Sequence, residues 1–259
     1  MKVLMIGDVV GRPGRRIVED LLPRHLEEHA IDFCVVNIEN ASGGSGVTPK
    51  IADRMFELRV DAMTTGDHVY KKREIFPYLR ANHRIVRPAN YPDAAHGHGA
   101  TVVESRSGVK VGILNLQGRV FMPPNDCPFL RAEAEIEKLR RETKIILVDF
   151  HAEATSEKVA MGWHLDGKVS LVVGTHTHIQ TADETILPGG TGYITDLGMT
   201  GPYDSVIGRA KDRVLFKFLT NVPARYDVGE GMEKLCGVQA TLDPETGKAT
   251  SIERIMLSG

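Results

Sequence analysis

Acidic, amide and imidazole side chains recur in this sequence where apolar runs end. Asp8 follows "KVLMIG", Glu39 and Asn40 follow "DFCVVNI", and Asp67 and His68 follow "VDAMTTG". His151 follows "KIILVDF" with Glu153 close behind, and His176 and His178 follow "VSLVVG". Carboxylates and neutral imidazoles are the natural ligands of divalent metals. Each residue alone has a plainer explanation: Asp8 as a helix cap, Glu39-Asn40 as turn residues, Asp67-His68 as a capped turn, His151 as a satisfied core histidine. The pair His176-x-His178 is harder to explain by packing, because alternate residues of an extended segment point the same way.

The shared location decides between these readings. In open α/β sheets, ligands bind outside the carboxyl ends of the strands. A set of carboxylates and imidazoles without thiolates suits manganese, iron, zinc or cobalt rather than a structural cysteine–zinc knot. The candidates are too many for one tetrahedral ion. A carboxylate such as Glu39 can bridge two ions roughly 3.5–4 Å apart, the spacing used to hydrolyse phosphate esters.

The elements that must position these residues are readable from periodicity. An apolar strand over Lys2–Val10 is followed by a helix over Arg15–His29, with Ile17, Val18, Leu21, Leu22 and Leu26 at helical spacing and a kink or break expected at Pro23. "DFCVVNIEN" reads as a second strand, and Thr48-Pro49 as the start of a helix reaching about Leu58. "VDAMTTGD" reads as a third strand and "KKREIFPYLR" as a third helix. This rhythm predicts parallel strands with crossover helices. "GATVVES" and "VKVGILNL" read as an antiparallel hairpin, and a charged helix over Pro128–Glu142 leads into "KIILVDF". A helix in "SEKVAMGWHL", the strand "VSLVVGT" and the short strands "DETILP", "GGTGYITD", "LCGVQATL" and "SIERIMLSG" complete the chain. The expected fold is α/β: two packed sheets with helices outside, in one domain over residues 1–259.

Composition narrows the function classes. The 259 residues are 42% hydrophobic and 25% charged, as in ordinary globular proteins. A net charge of −2 supplies no global field for nucleic acid, and no basic patch with interleaved aromatics suggests a nuclease. No apolar run reaches the roughly 18 residues that would span a bilayer. The opening "MKVLMIGDVVGRPGRR" suits a buried strand better than a signal peptide. The widely spaced Cys34, Cys127 and Cys236 form no disulfide framework, so a cytoplasmic location is expected.

In order and spacing, "GDVVG", "NIENASGG", "GDH", "VDFHAEATSEK" and "GTHTH" resemble the motifs of calcineurin-like metallophosphoesterases, most closely the YmdB-like bacterial phosphodiesterases. The resemblance covers nearly the whole chain. Val10 stands where the superfamily usually has a histidine, and Glu39 where an aspartate commonly bridges; both are features of the YmdB-like branch. The implied fold is a two-sheet β-sandwich flanked by helices, with the metal site at the carboxyl ends of the strands. One ion would be held by Asp8, Glu39 and His178, and a second by Glu39, Asp67, His151 and His176. His68 would lie beside the metals and assist the leaving group, and Asn40 would offer its amide to a phosphate oxygen. The implied activity is phosphodiester hydrolysis by a hydroxide bridging the ions, on 2′,3′-cyclic or 3′,5′-cyclic nucleotides. Iron or manganese is expected ahead of zinc or cobalt. An RNA-derived ligand and a homo-oligomer are further expectations; a membrane partner is not. The competing readings are a phosphomonoesterase or nucleotidase, and a metal-binding regulatory protein with little turnover. Arg12, Arg15 and Arg119 are candidate phosphate partners, though solvated surface arginines are the better default.

One residue departs from the pattern. The family motif reads Gly-Asn-His, and this chain has Gly66-Asp67-His68. Two divalent ions contribute +4 and Asp8, Glu39 and a bridging hydroxide −3, so an ionised Asp67 takes the site from about +1 to about neutral. The expected result of Asp67→Asn is weaker retention of the second metal and a lower KM for an anionic diester. Unchanged metal content together with an unchanged KM would remove this account of Asp67.

Overall fold

The computed structural model describes all 259 residues. In the first third of the chain, β1 (Lys2–Ile6), β2 (Phe33–Asn37), β3 (Ala62–Thr64) and β4 (Ile85–Val86) alternate with α1 (Gly11–Glu28), α2 (Pro49–Glu57) and α3 (Ile75–Ala81). The hairpin β5 (Ala100–Glu104) and β6 (Lys110–Gln117) follows, then α4 (Pro128–Leu139), β7 (Ile145–His151), α5 (Thr155–Leu165) and β8 (Leu171–Thr175). The last third contains β9 (Thr185–Ile186), β10 (Gly192–Ile194), β11 (Gly201–Pro202), α6 (Lys211–Thr220), β12 (Glu233–Leu242) and β13 (Ala249–Ser258).

These strands form two sheets. One has the order β11-β12-β1-β2-β3-β4, with β13 paired to β12; the other has the order β5-β6-β7-β8-β10-β9. Strands β1 to β4 are mutually parallel, as are β6, β7 and β8. A parallel strand covered on both faces must be apolar throughout, and alternate residues of β1 divide between two cores. Val3 and Met5 meet Ile113, Leu147 and Val173 of the opposite sheet, whereas Leu4 and Ile6 pack under Val18, Leu22 and Leu26 of α1. The second sheet buries its outer face against α4 and α5 through Leu116, Ala132, Ile136, Phe150 and Met161. The result is the two-sheet sandwich with helices outside. No helix is long and apolar enough to cross a membrane.

Several boundaries differ from the sequence expectation. The first strand stops at Ile6 rather than Val10, and the chain beyond it keeps only a bridge between Val9 and Thr200. The helix α1 begins four residues early, at Gly11, and runs unbroken through Pro23. Its buried stripe of Ile17, Val18, Leu22 and Leu26 holds both halves, and the Glu19 residue that would have accepted from position 23 is exposed to water. The charged helix ends at Leu139 because the Glu142 and Thr143 amides turn back onto the Leu139 carbonyl at 2.9 and 3.0 Å. The third strand and third helix are shorter than read, which leaves Thr65–Glu74 as a turn-rich connection. Helix α6 carried no expectation; Val214 is its only buried residue, and Leu215, Phe216, Phe218 and Leu219 are exposed.

A buried ion pair braces the end of the second sheet. Lys158 on α5 and Asp196 after β10 are 2% and 0% exposed, with Nζ 2.6 Å from Oδ2. Asp196 also accepts from the Thr177 hydroxyl at 2.6 Å and the Gly198 amide at 2.7 Å. Removing one partner of such a pair strands a buried charge. Asp196→Ala is therefore expected to lose about 3–5 kcal/mol in urea unfolding; a loss below about 1 kcal/mol would show that the pair is not a brace.

Candidate metal centre

Parallel pairing sends the chemically distinctive residues to one edge. Asp8, Glu39 and Asp67-His68 lie just beyond the carboxyl ends of β1, β2 and β3, while His151 ends β7 and His176 follows β8. Asp8, Glu39 and His151 are fully buried, and Asn40 and His178 nearly so. Asp67, His68 and His176 are partly open to solvent.

His151 is the centre of the first group. Its Nε2 is 3.1 Å from Glu39 Oε1, 3.3 Å from Asp67 Oδ1 and 3.0 Å from His176 Nδ1. One ligand atom from each of these four residues lies within 4.8 Å of all the others. The hydrogen bonds around them fix the ring's proton. The Thr175 hydroxyl donates to Asp149 Oδ1 at 2.7 Å, so it accepts from His151 Nδ1 at 2.8 Å. The Nε2 lone pair of neutral His151 is thereby aimed at two carboxylates. His176 Nε2 lies 3.2 Å from Glu153 Oε2, an arrangement that leaves Nδ1 as the inward lone pair.

Asp8 and His178 form the second group. His178 Nδ1 donates to the Ile207 carbonyl at 2.9 Å, so Nε2 presents its lone pair 3.2 Å from Asn40 Nδ2 and 3.8 Å from Asp8 Oδ1. Asp8 Oδ1 is buried and has no hydrogen-bond partner. Its other oxygen accepts from the His176 amide at 3.1 Å. Glu39 links the groups, because the Asn40 amide that reaches His178 also donates to Glu39 Oε1 at 3.0 Å. Electron-rich atoms this close repel one another unless a proton or a cation lies among them. The orphaned Asp8 oxygen and the converging lone pairs fit divalent metal.

Without metal, protons take that part. Burial pushes the Asp8 carboxyl up to about 6, against the lowering effect of His178 and His151. Burial acts to raise Glu39 as well, yet the adjoining His151 and His68 hold it well below the usual carboxylate range. His151 is raised well above an ordinary histidine, since Glu39 and Asp67 outweigh burial. Partial burial, with the His151 charge beside it, pushes His176 down to about 4.

His68 stands outside the group of four. Its Nδ1 is 2.8 Å from Asn40 Oδ1 and its Nε2 is 3.6 Å from Asp67 Oδ2. The Asn40 oxygen can only accept, so His68 Nδ1 carries a proton. Hydrogen bonding toward Glu39, with the Asp67 charge added, raises the His68 pKa against burial. Asn40, His68, His176 and His178 line a cavity of about 230 Å³ together with Thr177, Glu153, Ile207, Arg209 and Glu39.

The sequence pattern misled in one respect. His176 and His178 do not extend from the strand to one face; their φ angles are +94° and +65°. The ladder ends at Thr175, and Thr177 is pulled onto Asp196, so the two imidazoles turn to different partners. Asp149, Thr175 and Arg209 were missed. The only signal for Asp149 was an acid inside the apolar run "IILVDF"; nothing in the spacing marked Arg209.

Over residues 4–255 the chain matches the family model described as YmdB-like protein. The chain belongs to the YmdB-like family. Among relatives of this YmdB-like chain, the 2′,3′-cyclic-nucleotide 2′-phosphodiesterase of Bacillus subtilis is 47% identical, over 100% of this chain and 97% of that protein. A putative phosphatase/phosphodiesterase of Mycoplasma pneumoniae is 34% identical, over 99% and 93%. The crystal structure of a hypothetical protein from Thermus thermophilus superposes with a TM-score of 0.93 at 36% identity, over 100% and 99%. The crystal structure of a novel phosphatase from Mycoplasma pneumoniae gives 0.93 at 33%, over 100% and 93%.

The YmdB-like centre also depends on a small residue. A Cβ at Gly66 would fall 2.2 Å from Glu39 Oε2 and 2.3 Å from His151 Nε2. Gly66→Ala is therefore expected to displace both side chains and to cut metal affinity about 10–100-fold, the range for disturbed ligand support. Elemental analysis beside circular dichroism measures this. A folded variant with wild-type metal content would count against Glu39 and His151 as ligands.

Proposed function

We propose that this chain is a metal-dependent phosphodiesterase acting on cyclic nucleotides, 2′,3′-cyclic ones first. The observation that carries the reading is the convergence of Glu39, Asp67, His151 and His176 close to the orphaned Asp8 oxygen, with Glu39 and His176 also lining a cavity that holds His68. Asp8, Glu39 and His178 would hold one ion, and Glu39, Asp67, His151 and His176 a second. A donor set of carboxylates and imidazoles suits iron, manganese, zinc or cobalt, and the likeness to the YmdB-like family puts iron or manganese first. Bound there, the metals supply Lewis acidity, activating water and neutralising phosphate charge.

The chain's own residues do the rest. His68, whose pKa is raised by hydrogen bonding to Glu39 and by the Asp67 charge, donates a proton to the departing alkoxide. Asn40 holds the ring by its oxygen and keeps its amide at the junction of the two groups, where a phosphate oxygen can compete for it. The name of the Bacillus subtilis relative supports a 2′,3′-cyclic substrate, the kind of end that cleaved RNA carries. The Mycoplasma name leaves a phosphatase reading to be tested. The free thiols of Cys34, Cys127 and Cys236 support a cytoplasmic location. The exposed apolar residues of α6 support association with further copies of the chain.

Metal-loaded protein assayed against 2′,3′-cyclic, 3′,5′-cyclic and monoester substrates tests the activity. Turnover of the cyclic diesters above the monoester is expected, and monoester turnover alone would replace this reading. His68→Ala should lower kcat about 10²–10⁴-fold with metal content retained. A loss of only a few-fold would remove His68 as the acid.

A further inference from the structure

The cavity beside the metal ligands holds one cation to which the phosphodiesterase reading gives no task. Arg209 is the only arginine or lysine lining it. Its backbone is fixed by a tight reversal in which Val206 and Arg209 exchange amide and carbonyl bonds at 2.9 Å. Ile207 and Gly208 within that turn are left-handed, at φ 46° and 91°. The Ile207 carbonyl is also the acceptor for His178 Nδ1, so the turn that orients His178 delivers Arg209 to the same wall.

The guanidinium is packed and only partly satisfied. Its Nη2 donates to the Gly44 carbonyl at 2.5 Å. A Cβ at Gly44 would fall 2.4 Å from Nη1, so the glycine-rich loop lies directly on the cation. The carboxylates that share the cavity are committed elsewhere, Glu39 to His151 and Glu153 to His176. Burial lowers the Arg209 pKa and no acid restores it. A half-buried guanidinium remains charged and has free donors in a planar fork, the geometry that suits phosphate.

We propose that Arg209 is a substrate-binding residue, which takes a non-bridging phosphate oxygen through the donors that Gly44 leaves free and selects for phosphate-bearing ligands. The assignment rests on the phosphodiesterase reading for its substrate, and on the cavity alone for its anion. Acting on the ground-state phosphate, Arg209 affects KM more than kcat.

Metal-loaded wild type, Arg209→Gln and Arg209→Lys are compared by calorimetric titration with inorganic phosphate, by steady-state kinetics on a 2′,3′-cyclic nucleotide, by elemental analysis and by thermal melting. Arg209→Gln should weaken phosphate binding and raise KM by about tenfold or more, the effect of losing a hydrogen bond from a charged group. Metal content should be unchanged, and Arg209→Lys should recover part of the phosphate affinity. Phosphate affinity within about twofold of wild type in Arg209→Gln would overturn the proposal. So would equal losses in both variants, which mark Arg209 as a strap for the glycine loop. If Arg209→Gln melts early, its phosphate titration is run below the onset of that melt at matched metal content: an affinity within about twofold of wild type there refutes a phosphate contact. An absence of diester turnover in wild type refutes the phosphodiesterase reading, and the phosphate titration then decides by itself whether Arg209 binds the anion.

Discussion

The meeting of His151 Nε2 with Glu39, Asp67 and His176 at 3.0–3.3 Å is the contact on which the rest of the centre depends. Four electron-rich groups do not gather beneath a sandwich edge by packing alone, because each is solvated in the unfolded chain and loses water on folding. The fold brings them together by ending parallel strands of two sheets at one edge, and by keeping Gly66 bare where any side chain would enter the cluster. A cation resolves the repulsion; without one, protonated His151 does so in part.

Asp149 shows how far below the site that requirement reaches. It is buried on β7 and accepts from Thr175 on β8, from Asn37 at 3.0 Å on β2, and from Thr64 on β3. One carboxylate therefore ties the two sheets together directly under the proposed ligands and sets the Thr175 hydroxyl that orients His151. Burial raises the Asp149 pKa, and the charge of His151 opposes the rise first, followed by those three donors. The sheet junction and the tautomer of His151 are consequently one hydrogen-bond system, so a change at the junction is felt as a rotation of the His151 ring.

Much of this was legible in the sequence, for a physical reason. The strands are covered on both faces and read as unbroken apolar runs, so a polar residue at a strand end stands out against them. Asp8, Glu39, Asp67 and His151 were found that way, and Thr48-Pro49 marked α2 because the Thr48 side chain does accept from Ile51. What stayed hidden depends on contacts between distant segments. Asp149 sits inside an apolar run, and its role emerges only with its three donors in place. The divergence of His176 and His178 follows from Thr177 bonding to Asp196, and Arg209 reaches the cavity through a turn that also serves His178. Periodicity carries none of these, because each is a long-range hydrogen bond.

Asp67 gains a second meaning from the geometry. Counted as charge alone, it would neutralise the metals of the proposed centre. Its two oxygens, however, serve different neighbours: Oδ1 faces His151 and His176 at 3.3 and 3.6 Å, and Oδ2 faces His68 Nε2 at 3.6 Å. The carboxylate is thus shared between the His151 cluster and the proposed acid, and its charge helps raise the His68 pKa. An amide at this position offers one acceptor oxygen and two N–H donors on its nitrogen, so it could face the cluster through oxygen only by turning N–H groups toward the His68 ring. A chain with aspartate here gives up some attraction for an anionic substrate and gains a better-charged acid. Arg209 restores positive charge on the cavity wall without touching His68, and this places the two cationic tasks, holding phosphate and giving up a proton, on separate side chains.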